Sequence, residues 1–237
     1  MGKQKGLHLD CHHCESRFKS VFCDLHEGEL EALNDHKSCA SYKKGQVIFM
    51  EGHPPHGLYC VNRGKIKVHQ RGDIGKEHIV RLVGDGDIMG YRALLSGGYY
   101  SCSATALEDA DICFVPRDIF FSMVSKDVSL SMAVMKLLSD DLKEAEHRLT
   151  NLAQKPVRER MAETLLFIKE TYGFEPDGKI LNVSLTREDI AGMVGTATET
   201  AIRLLSEFKS DGMIDLQGKR IALLDHKALV RTANLRD

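Results

Sequence analysis

The stretch Thr186–Lys209, TREDIAGMVGTATETAIRLLSEFK, decides the fold of the C-terminal part of the chain. Thr186 can cap a helix, and Asp189 three residues later completes a capping-box pattern. Gly195 interrupts the apolar pattern where two helices must turn sharply. A second helix begins at about Thr198, and its apolar side would consist of Ala201, Leu204, Leu205 and Phe208. The pattern therefore predicts two helices joined by a tight turn.

The opposite side of the second predicted helix points away from this apolar side. Its residues near the N-terminal end are Thr198, Glu199, Ile202 and Arg203. In a helix-turn-helix, this part of the second helix contacts base edges in the major groove of DNA. An ordinary helical hairpin in a core would show the same bare pattern. The segment Met213–Leu224 favours the DNA-binding interpretation, because it is typical of a two-stranded hairpin that turns at Gln217-Gly218 and makes the unit a winged helix.

Length and charge limit the possible classes of protein. The chain has 237 residues, with 32 basic and 34 acidic side chains and a net charge of −2. That length suits two domains, and that charge requires any nucleic-acid surface to be local. No apolar run approaches the roughly 20 residues that span a bilayer, and the N-terminus lacks the apolar region of a signal peptide. We therefore expect a cytoplasmic protein without membrane contact, whose seven cysteines serve metal or redox chemistry or are buried thiols, rather than a disulfide framework.

Short β-like runs alternate with glycine-containing turns between about Glu27 and Pro116. The runs are Gln46–Met50, Gly57–Val61, Lys65–Gln70, His78–Val83, Ser101–Leu107 and Asp111–Val115. Regular short strands of this kind favour an antiparallel β-roll of the jelly-roll type. We expect a sensor β-roll over residues 27–125, preceded by a Cys-rich arm over residues 1–26 that carries little core.

Residues 126–154 carry one long helical pattern. Its apolar residues follow one another at spacings of three or four, and they are Val128, Met132, Met135, Leu138, Leu142, Ala145, Leu149 and Leu152. Such a seam is typical of a two-fold coiled-coil dimer interface, although a helix packed on its own domain is the alternative. Pro156 ends the helix, and a further helix over about Val157–Tyr172 leads into a DNA-binding domain over residues 155–237. The fold class is therefore α+β.

Several segments, in this order, resemble the Crp/Fnr family of transcription regulators. They are Lys44–Phe49, Gly57–Val68, Gly86–Gly90, Arg158–Leu166 and the helix-turn-helix stretch. The resemblance covers nearly the whole chain. It implies a homodimer, a cyclic-nucleotide-binding-like β-roll, a near-palindromic site in double-stranded DNA and transcription control through RNA polymerase. We do not expect an enzyme, because no nucleophile–base pair and no phosphate-binding glycine loop can be assembled from the sequence.

The effector of this family differs between branches. The nucleotide-binding branch has a glutamate for the ribose hydroxyl and an arginine for the cyclic phosphate. The corresponding places in this chain are Tyr91 and Tyr100-Ser101, and Arg92 lies out of register. A buried phosphate without a charged partner is unfavourable. Cyclic AMP is therefore not the expected ligand.

Cys11-His-His-Cys14 followed by Cys23 forms a C-x2-C-x8-C run. It resembles the N-terminal run of the oxygen-sensing, Fnr-like branch, in which a cysteine of the β-roll completes a 4Fe–4S site. The matching fourth place is Cys113. The resemblance thus implies a cluster on Cys11, Cys14, Cys23 and Cys113, since thiolates are the usual cluster ligands. A zinc site with His12 or His13, and free or disulfide-switching thiols, stay open as alternatives.

Three other cysteines complete the set. We expect Cys39, Cys60 and Cys102 to be core or loop thiols, with Cys39 in a loop leading into the roll and Cys60 in a strand. Cys113 also fits a strand core position. Any of the three could replace a ligand of the implied cluster.

The resemblance also assigns roles in DNA binding and dimerisation. Glu199 and Arg203 would read bases, through a cytosine amino group and a guanine respectively, with Thr198 and Ile202 beside them. Candidates for phosphate contacts are Thr186, Arg187, Thr200 and Lys219. The oxygen-sensing branch carries a carboxylate on the dimer seam where this chain has Ala145, which favours a dimer even without a cofactor.

Three functions fit these patterns. The first is a regulator that responds to oxygen, nitric oxide or another oxidant through the cluster. The second is a regulator whose β-roll takes a small organic effector among Tyr91, Leu94, Tyr99 and Tyr100. The third is a constitutively dimeric activator whose cysteines brace the fold.

Overall fold

The computed structural model describes residues 7, 9–72 and 77–235. The chain divides into two compact units. The N-terminal unit contains the chain up to His69 together with Arg81–Lys143, and the C-terminal unit contains Gln70–Val80 together with the chain from Glu144 onward. Within the described ranges, none of the helices combines the length and the apolar character that crossing a membrane requires.

The N-terminal unit is built mainly on two four-stranded sheets, of which only residues 70–71 and 77–80 belong to the C-terminal unit. Its strands are β1 (Ser38–Tyr42), β2 (Val47–Phe49), β3 (Gly57–Arg63), β4 (Ile66–Arg71), β5 (Glu77–Val83), β6 (Ile88–Met89), β7 (Ser103–Ala106) and β8 (Ala110–Pro116). One sheet has the order β1-β8-β3-β6 and is antiparallel throughout. The other has the order β2-β7-β4-β5, and its β2–β7 and β4–β7 pairs are antiparallel. The predicted antiparallel roll is confirmed.

Helices complete this unit. A short 3₁₀ turn (Arg17–Lys19) is followed by α1 (Glu27–His36), α2 (Tyr91–Ser96) and α3 (Arg117–Lys126). The long helix α4 (Val128–Gln154) begins in this unit, and its residues from Glu144 onward belong to the C-terminal unit. Asp127 fixes the start of α4, because its Oδ1 accepts hydrogen bonds from the backbone N–H groups of Ser129 (2.8 Å) and Leu130 (3.1 Å). The long helix predicted over residues 126–154 is thereby confirmed to within two residues.

Two expectations about the N-terminal unit were wrong. Cys39 lies in strand β1 rather than in a loop, because the short, largely polar segment SCASY pairs with β8 along its whole length. The arm also contributes to the core, since Phe22 is only 2% exposed and packs in one cluster with Leu30 and Leu33 of α1. Burial of an aromatic side chain anchors the arm to the unit.

The C-terminal unit contains the helix-turn-helix. Its elements are α5 (Val157–Tyr172), α6 (Arg187–Val194), α7 (Thr198–Ser210), β9 (Ile214–Gln217), β10 (Arg220–Leu223) and α8 (His226–Thr232). Strands β9 and β10 form an antiparallel hairpin, with Gly218 between them at φ +62°. The predicted α5, both helices of the motif and the wing are confirmed, whereas α8 has no counterpart in the sequence patterns.

Candidate nucleic-acid interface and cysteine site

Local interactions fix both ends of α6. Thr186 Oγ1 accepts from the backbone N–H of Asp189 (3.0 Å), and Asp189 Oδ2 accepts from the backbone N–H of Thr186 (2.9 Å). This is the predicted capping box. At the other end of α6, Gly195 takes the left-handed conformation (φ 69°), which a residue with a side chain adopts only at a cost. The sequence therefore fixes where α6 begins and where it ends.

Helix α7 presents two different faces. Its predicted apolar side is buried, and the residues are Ala201, Leu204, Leu205 and Phe208. The opposite side exposes Glu199, Ile202 and Arg203. The residue before the helix, Ala197, offers no side-chain cap, so the N–H groups of the first turn suit a phosphate oxygen. The arrangement is that of a recognition helix.

Arg203 is held by its neighbours on the exposed face. Its guanidinium forms an ion pair with Glu207 one turn later, and its side chain is 64% exposed. Glu207 also accepts from Arg158 (3.0 Å), which binds Asp211 as well (2.6 Å). Exposed ion pairs contribute little free energy. Arg203 can therefore exchange Glu207 for a base edge at small cost.

The candidate phosphate contacts occupy different positions. Arg187 donates from Nη2 to the carbonyl of Gly218 (2.8 Å), and burial lowers the pKa of its guanidinium. Arg187 thus ties the start of α6 to the tip of the wing. Lys219 is exposed beside this tip. Thr186 Oγ1 is used in the capping box and Thr200 is half-buried.

Four cysteines line one cavity of the N-terminal unit: Cys11, Cys14, Cys60 and Cys113. Three of them belong to the predicted ligand set, and the fourth is Cys60 of β3. The remaining predicted ligand, Cys23, instead lines a second cavity with Asp127 and Leu130. The structure therefore brings together three of the four predicted ligands.

Arg17 organises the loop that carries the arm cysteines. Its guanidinium donates to the backbone carbonyls of Cys11 (2.9 Å), Phe22 (2.9 Å) and Cys23 (2.8 Å). The backbone N–H of Cys11 in turn donates to Asn34 Oδ1 (3.0 Å). The sequence patterns did not single out Arg17, because hydrogen bonds to carbonyls require no partner side chain. Its position between Cys14 and Cys23 is the only sequence signal for this role.

The thiols of this region differ in their surroundings. Burial raises the pKa of the Cys11 thiol, and the nearby Lys37 ammonium opposes that rise. Burial also raises the pKa of Cys60 well above its usual range. Burial, together with the Asp24 carboxylate, raises the pKa of Cys23. Cys14 Sγ accepts a hydrogen bond from Asn62 Nδ2 (3.2 Å).

Cys113 is joined to Cys39 by a disulfide between β8 and β1. The sequence did not predict this pairing, since Cys39 was expected in a loop and Cys113 as a cluster ligand, although disulfide-switching thiols were left open as an alternative. A disulfide sulfur has no thiolate to offer a metal. Across the described ranges, no three or more His, Cys, Asp or Glu side chains are grouped so that they could hold a metal ion.

These observations test the implied cluster. The donor chemistry fits, because Cys11 and Cys14 lie on the same cavity as Cys113, and thiolates are the preferred ligands of iron–sulfur clusters. The present arrangement does not fit, because Cys113 must first be reduced and Cys23 lies on the second cavity. Of the two histidines considered for zinc, His13 lies beside Asp10 (Nδ1 to Oδ2, 2.7 Å), and His12 is 4.0 Å from Glu27.

The region that would receive an effector in the nucleotide-binding branch is filled by side chains. Tyr91 is buried, and its hydroxyl donates to Asp141 and accepts from Arg81 Nη1 (2.7 Å). Arg92 also pairs with Asp141 (2.8 Å). Tyr100 is buried and stacks on an aromatic ring of β2. Of the four residues proposed to surround an organic effector, Tyr91, Leu94 and Tyr100 are core residues and Tyr99 is exposed.

The predicted dimer seam of α4 faces solvent in the single chain. Val128 is 76% exposed and Leu149 is 69% exposed. The other members that are at least half exposed are Met132, Met135, Leu142 and Leu152. Ala145 is exposed as well, whereas Leu138 is half-buried against the core of the N-terminal unit. The helix thus carries an apolar face that its own chain leaves largely uncovered.

Comparison with protein families agrees with both units. A cyclic nucleotide-binding domain model matches residues 39–127, and a Crp-like helix-turn-helix domain model matches residues 159–232. The chain is 29% identical over 232 residues to the fumarate and nitrate reduction regulatory protein of Escherichia coli (strain K12), covering 96% of this chain and 92% of the relative. It is 27% identical over 214 residues to the CRP-like cAMP-activated global transcriptional regulator of Mycobacterium tuberculosis, covering 90% and 96% respectively.

A solved structure shows the same organisation. A Crp/Fnr-family transcriptional regulator of Thermus thermophilus superposes with a TM-score of 0.71 at 30% identity, covering 84% of this chain and all of that chain. Together with the recognition helix, the wing and the antiparallel roll, these matches assign the protein: the chain belongs to the Crp/Fnr family of DNA-binding transcription regulators.

Proposed function

We propose that this regulator binds promoter DNA under the control of a 4Fe–4S cluster held by Cys11, Cys14, Cys23 and Cys113. The observation that carries the proposal is the position of Cys11, Cys14 and Cys113 on one cavity. The similarity to a fumarate and nitrate reduction regulatory protein supports it. Such a cluster would respond to oxygen, nitric oxide or another oxidant, because its thiolate ligands and sulfides are readily oxidised.

Cyclic AMP is not the effector in this proposal, although one relative is named as cAMP-activated. The place of the ribose-binding glutamate holds Tyr91, and the arginines Arg81 and Arg92 already lie beside the Asp141 carboxylate. A cyclic phosphate would have to displace this carboxylate from its partners. The buried position of Tyr100 adds a steric obstacle.

A homodimer formed through α4 is part of the same proposal. Coiled-coil seams bury residues with the spacing of the exposed apolar face, and a second copy of the chain presents the same face around a two-fold axis. Ala145 adds no charge to this face. The dimer would therefore form with or without the cluster, and the cluster would change DNA affinity rather than association.

On DNA, each subunit would read one half of a near-palindromic site. Glu199 and Arg203 would contact bases, with Thr198 and Ile202 at neighbouring positions. Thr186, Arg187, Thr200 and Lys219 would position the protein on phosphates. Arg187 would contact a phosphate while it also donates a hydrogen bond to the wing. RNA polymerase is the proposed partner on the promoter, and the cytoplasm is the proposed location.

The test is the iron and acid-labile sulfide content of protein purified without oxygen. We expect about four irons per chain and a broad absorbance at about 400 nm that bleaches in air. The native mass of the same sample should be twice the 26.5 kDa of one chain, before and after bleaching. Cys23→Ser should lose the absorbance, and Cys102→Ser, which removes a free thiol outside the proposed ligand set, should keep it.

Two results would contradict the proposal. Zinc without iron would favour a structural metal site. Metal-free protein that binds DNA unchanged in air would favour a constitutive dimeric activator whose cysteines brace the fold.

A further inference from the structure

Three cysteines form a row across three neighbouring strands. In the register of the sheet, Cys113 of β8 lies opposite Cys39 of β1 on one side and opposite Cys60 of β3 on the other. Residues directly opposite each other in antiparallel strands point to the same face of a sheet. Cys113 therefore has a thiol neighbour on each side.

The two neighbours of Cys113 have different bonds. Cys39 is bonded to Cys113, and the Cα atoms of the pair are 4.0 Å apart. Cys60 is a free thiol on the cavity that also contains Cys11 and Cys14. The strand pairing itself brings Cys39 and Cys113 together, so the two thiols stay neighbours whether or not their sulfur atoms are bonded.

Cys113 can therefore be a metal ligand or a disulfide partner of Cys39, but not both at once. As a thiolate it faces the cavity with Cys11 and Cys14, and as a disulfide it is bound to Cys39. Metal ligation requires the thiolate. The arm also touches this place, because Leu7 forms a backbone bridge with Cys39.

We propose that Cys39 is a redox partner of Cys113, and that the Cys39–Cys113 disulfide withholds Cys113 from the metal site. This inference rests on the proposed function, in which Cys113 is a cluster ligand. It adds a second control of cluster binding. Oxidation of the cluster-free protein joins Cys113 to Cys39, and the protein can acquire a cluster only after that disulfide is reduced.

The chemistry balances with a low-molecular-weight disulfide as the oxidant. The thiolate of one cysteine attacks the oxidant, forms a mixed disulfide and releases one thiol. The thiolate of the other cysteine then attacks the protein sulfur of that mixed disulfide and releases the second thiol. One sulfur–sulfur bond breaks and one forms, and the two thiol protons pass to the two released thiols. Reduction by two equivalents of thiol reverses both steps.

The experiment compares the full-length wild type with C39A and with the matched control C60A. Cys60 is the other neighbour of Cys113 in the sheet, so both variants remove one thiol beside it. The cluster-free proteins are equilibrated in reducing or oxidising glutathione buffers and then desalted without oxygen. Peptide mapping without reductant gives the disulfide, and titration with Co²⁺ alone, followed through sulfur-to-cobalt absorbance, gives the affinity of the thiol site.

We expect the wild type and C60A to form the Cys39–Cys113 bond in the oxidising buffer and to bind Co²⁺ at least about tenfold more weakly than after reduction. C39A should keep Cys113 as a thiol and lose less than about twofold in Co²⁺ affinity, because the cysteine to which Cys113 is bonded in the wild type is then absent. C39S serves as a second variant of the same position. Cys39 lies on β1, at the edge of its sheet. C39A and C39S should therefore leave no cavity in the core.

The outcomes separate this inference from the proposed function. Wild-type protein that carries the mapped disulfide yet binds Co²⁺ as tightly as reduced protein would overturn the inference alone. Equal loss of Co²⁺ affinity in C39A and wild type would do the same. Reduced wild type that binds neither Co²⁺ nor iron and sulfide would overturn the proposed function, and with it the competition for Cys113.

Discussion

The helix-turn-helix and the cysteine site are assembled in opposite ways. The helix-turn-helix is one continuous segment, Thr186–Ser210, and a capping box and one left-handed glycine place its helices. The thiols come from the arm and from three strands, and the Cys39–Cys113 pair is separated by 74 residues. A DNA-reading surface can therefore be set by local rules, whereas the thiol site exists only when the β-roll has paired its strands.

The two regions are also held by different forces. Helix α7 is fixed by apolar burial, with Leu205 and Phe208 fully buried. The arm is attached to the rest of its unit largely by hydrogen bonds from Cys11 N–H to Asn34 Oδ1 and from the Ser16 hydroxyl to the Asn62 carbonyl, and by the buried ring of Phe22. Net hydrogen-bond contributions are about 1 kcal/mol each, less than the burial of a large side chain. The arm should be the more easily displaced of the two regions.

Phe208→Ala should cause the largest loss of unfolding free energy, and that loss should be confined to the DNA-binding region. Truncation of a fully buried phenylalanine costs about 3–5 kcal/mol of unfolding free energy. Phe208 also lies beneath the Arg158 guanidinium (4.8 Å to the ring centroid), so its loss disturbs the ion pairs around Glu207 as well. Denaturant unfolding measures the loss, and specific DNA binding should disappear with it.

The control for this change is Ser206→Ala on the exposed side of the same helix. It should alter the unfolding free energy by less than about 0.5 kcal/mol. The Cys39–Cys113 bond should still form in Phe208→Ala, because the two regions belong to different compact units. Loss of that bond in the variant would contradict the independence of the two regions.

Gly86→Ala should disturb the other region. Gly86 has φ +92°, and a Cβ there would lie 2.8 Å from the carbonyl oxygen of Ser16 in the arm. The left-handed backbone and the clash together should cost about 2–4 kcal/mol. The arm should give way first, which is measured as faster proteolysis near Arg17 and faster alkylation of Cys11.

Gly45→Ala is the matched control for this substitution. Gly45 has a similar φ (+84°), but a Cβ there would meet no atom within 4 Å. Gly45→Ala should lower the unfolding free energy only by the cost of the left-handed backbone, about 1–2 kcal/mol. It should leave the arm protected from proteolysis. Equal proteolysis of the arm in the two variants would show that the turn at Gly86 does not support it.

The sequence predicted the parts of the molecule whose causes are local. The capping pair Thr186 and Asp189, the turn at Gly195 and the helix Val157–Tyr172 all appear where the patterns place them. The exposed apolar face of α4 likewise follows from spacing alone. In each case the residues that interact are only a few positions apart, so periodicity and capping rules contain the information.

The parts that were missed depend on distant partners. Strand β1 has the sequence SCASY, which carries little strand signal of its own, and it becomes a strand because β8 pairs with it. The bond of Cys39 was missed for the same reason. Cys60 was expected in a strand, but its position on the cavity with Cys11 and Cys14 follows from the sheet register and from the packing of the arm. No local pattern encodes either.

Arg203→Ala should give the smallest of the three effects and should sharpen the comparison. The guanidinium is exposed and its ion pair with Glu207 is weak, so the fold should be unchanged while binding to a specific site weakens by about 1–3 kcal/mol, roughly 5- to 150-fold. Lys209→Ala removes an equal charge from the same helix, at its C-terminal end beside Asp215. It should weaken the binding of all DNA sequences by the same small factor. Binding to a library of half-site variants distinguishes the two: Arg203→Ala should relax the preference at one base pair. An unchanged base preference would mean that another residue of α7 contacts the bases. Capping and periodicity would then have predicted the position of the helix but not the residue that recognises DNA.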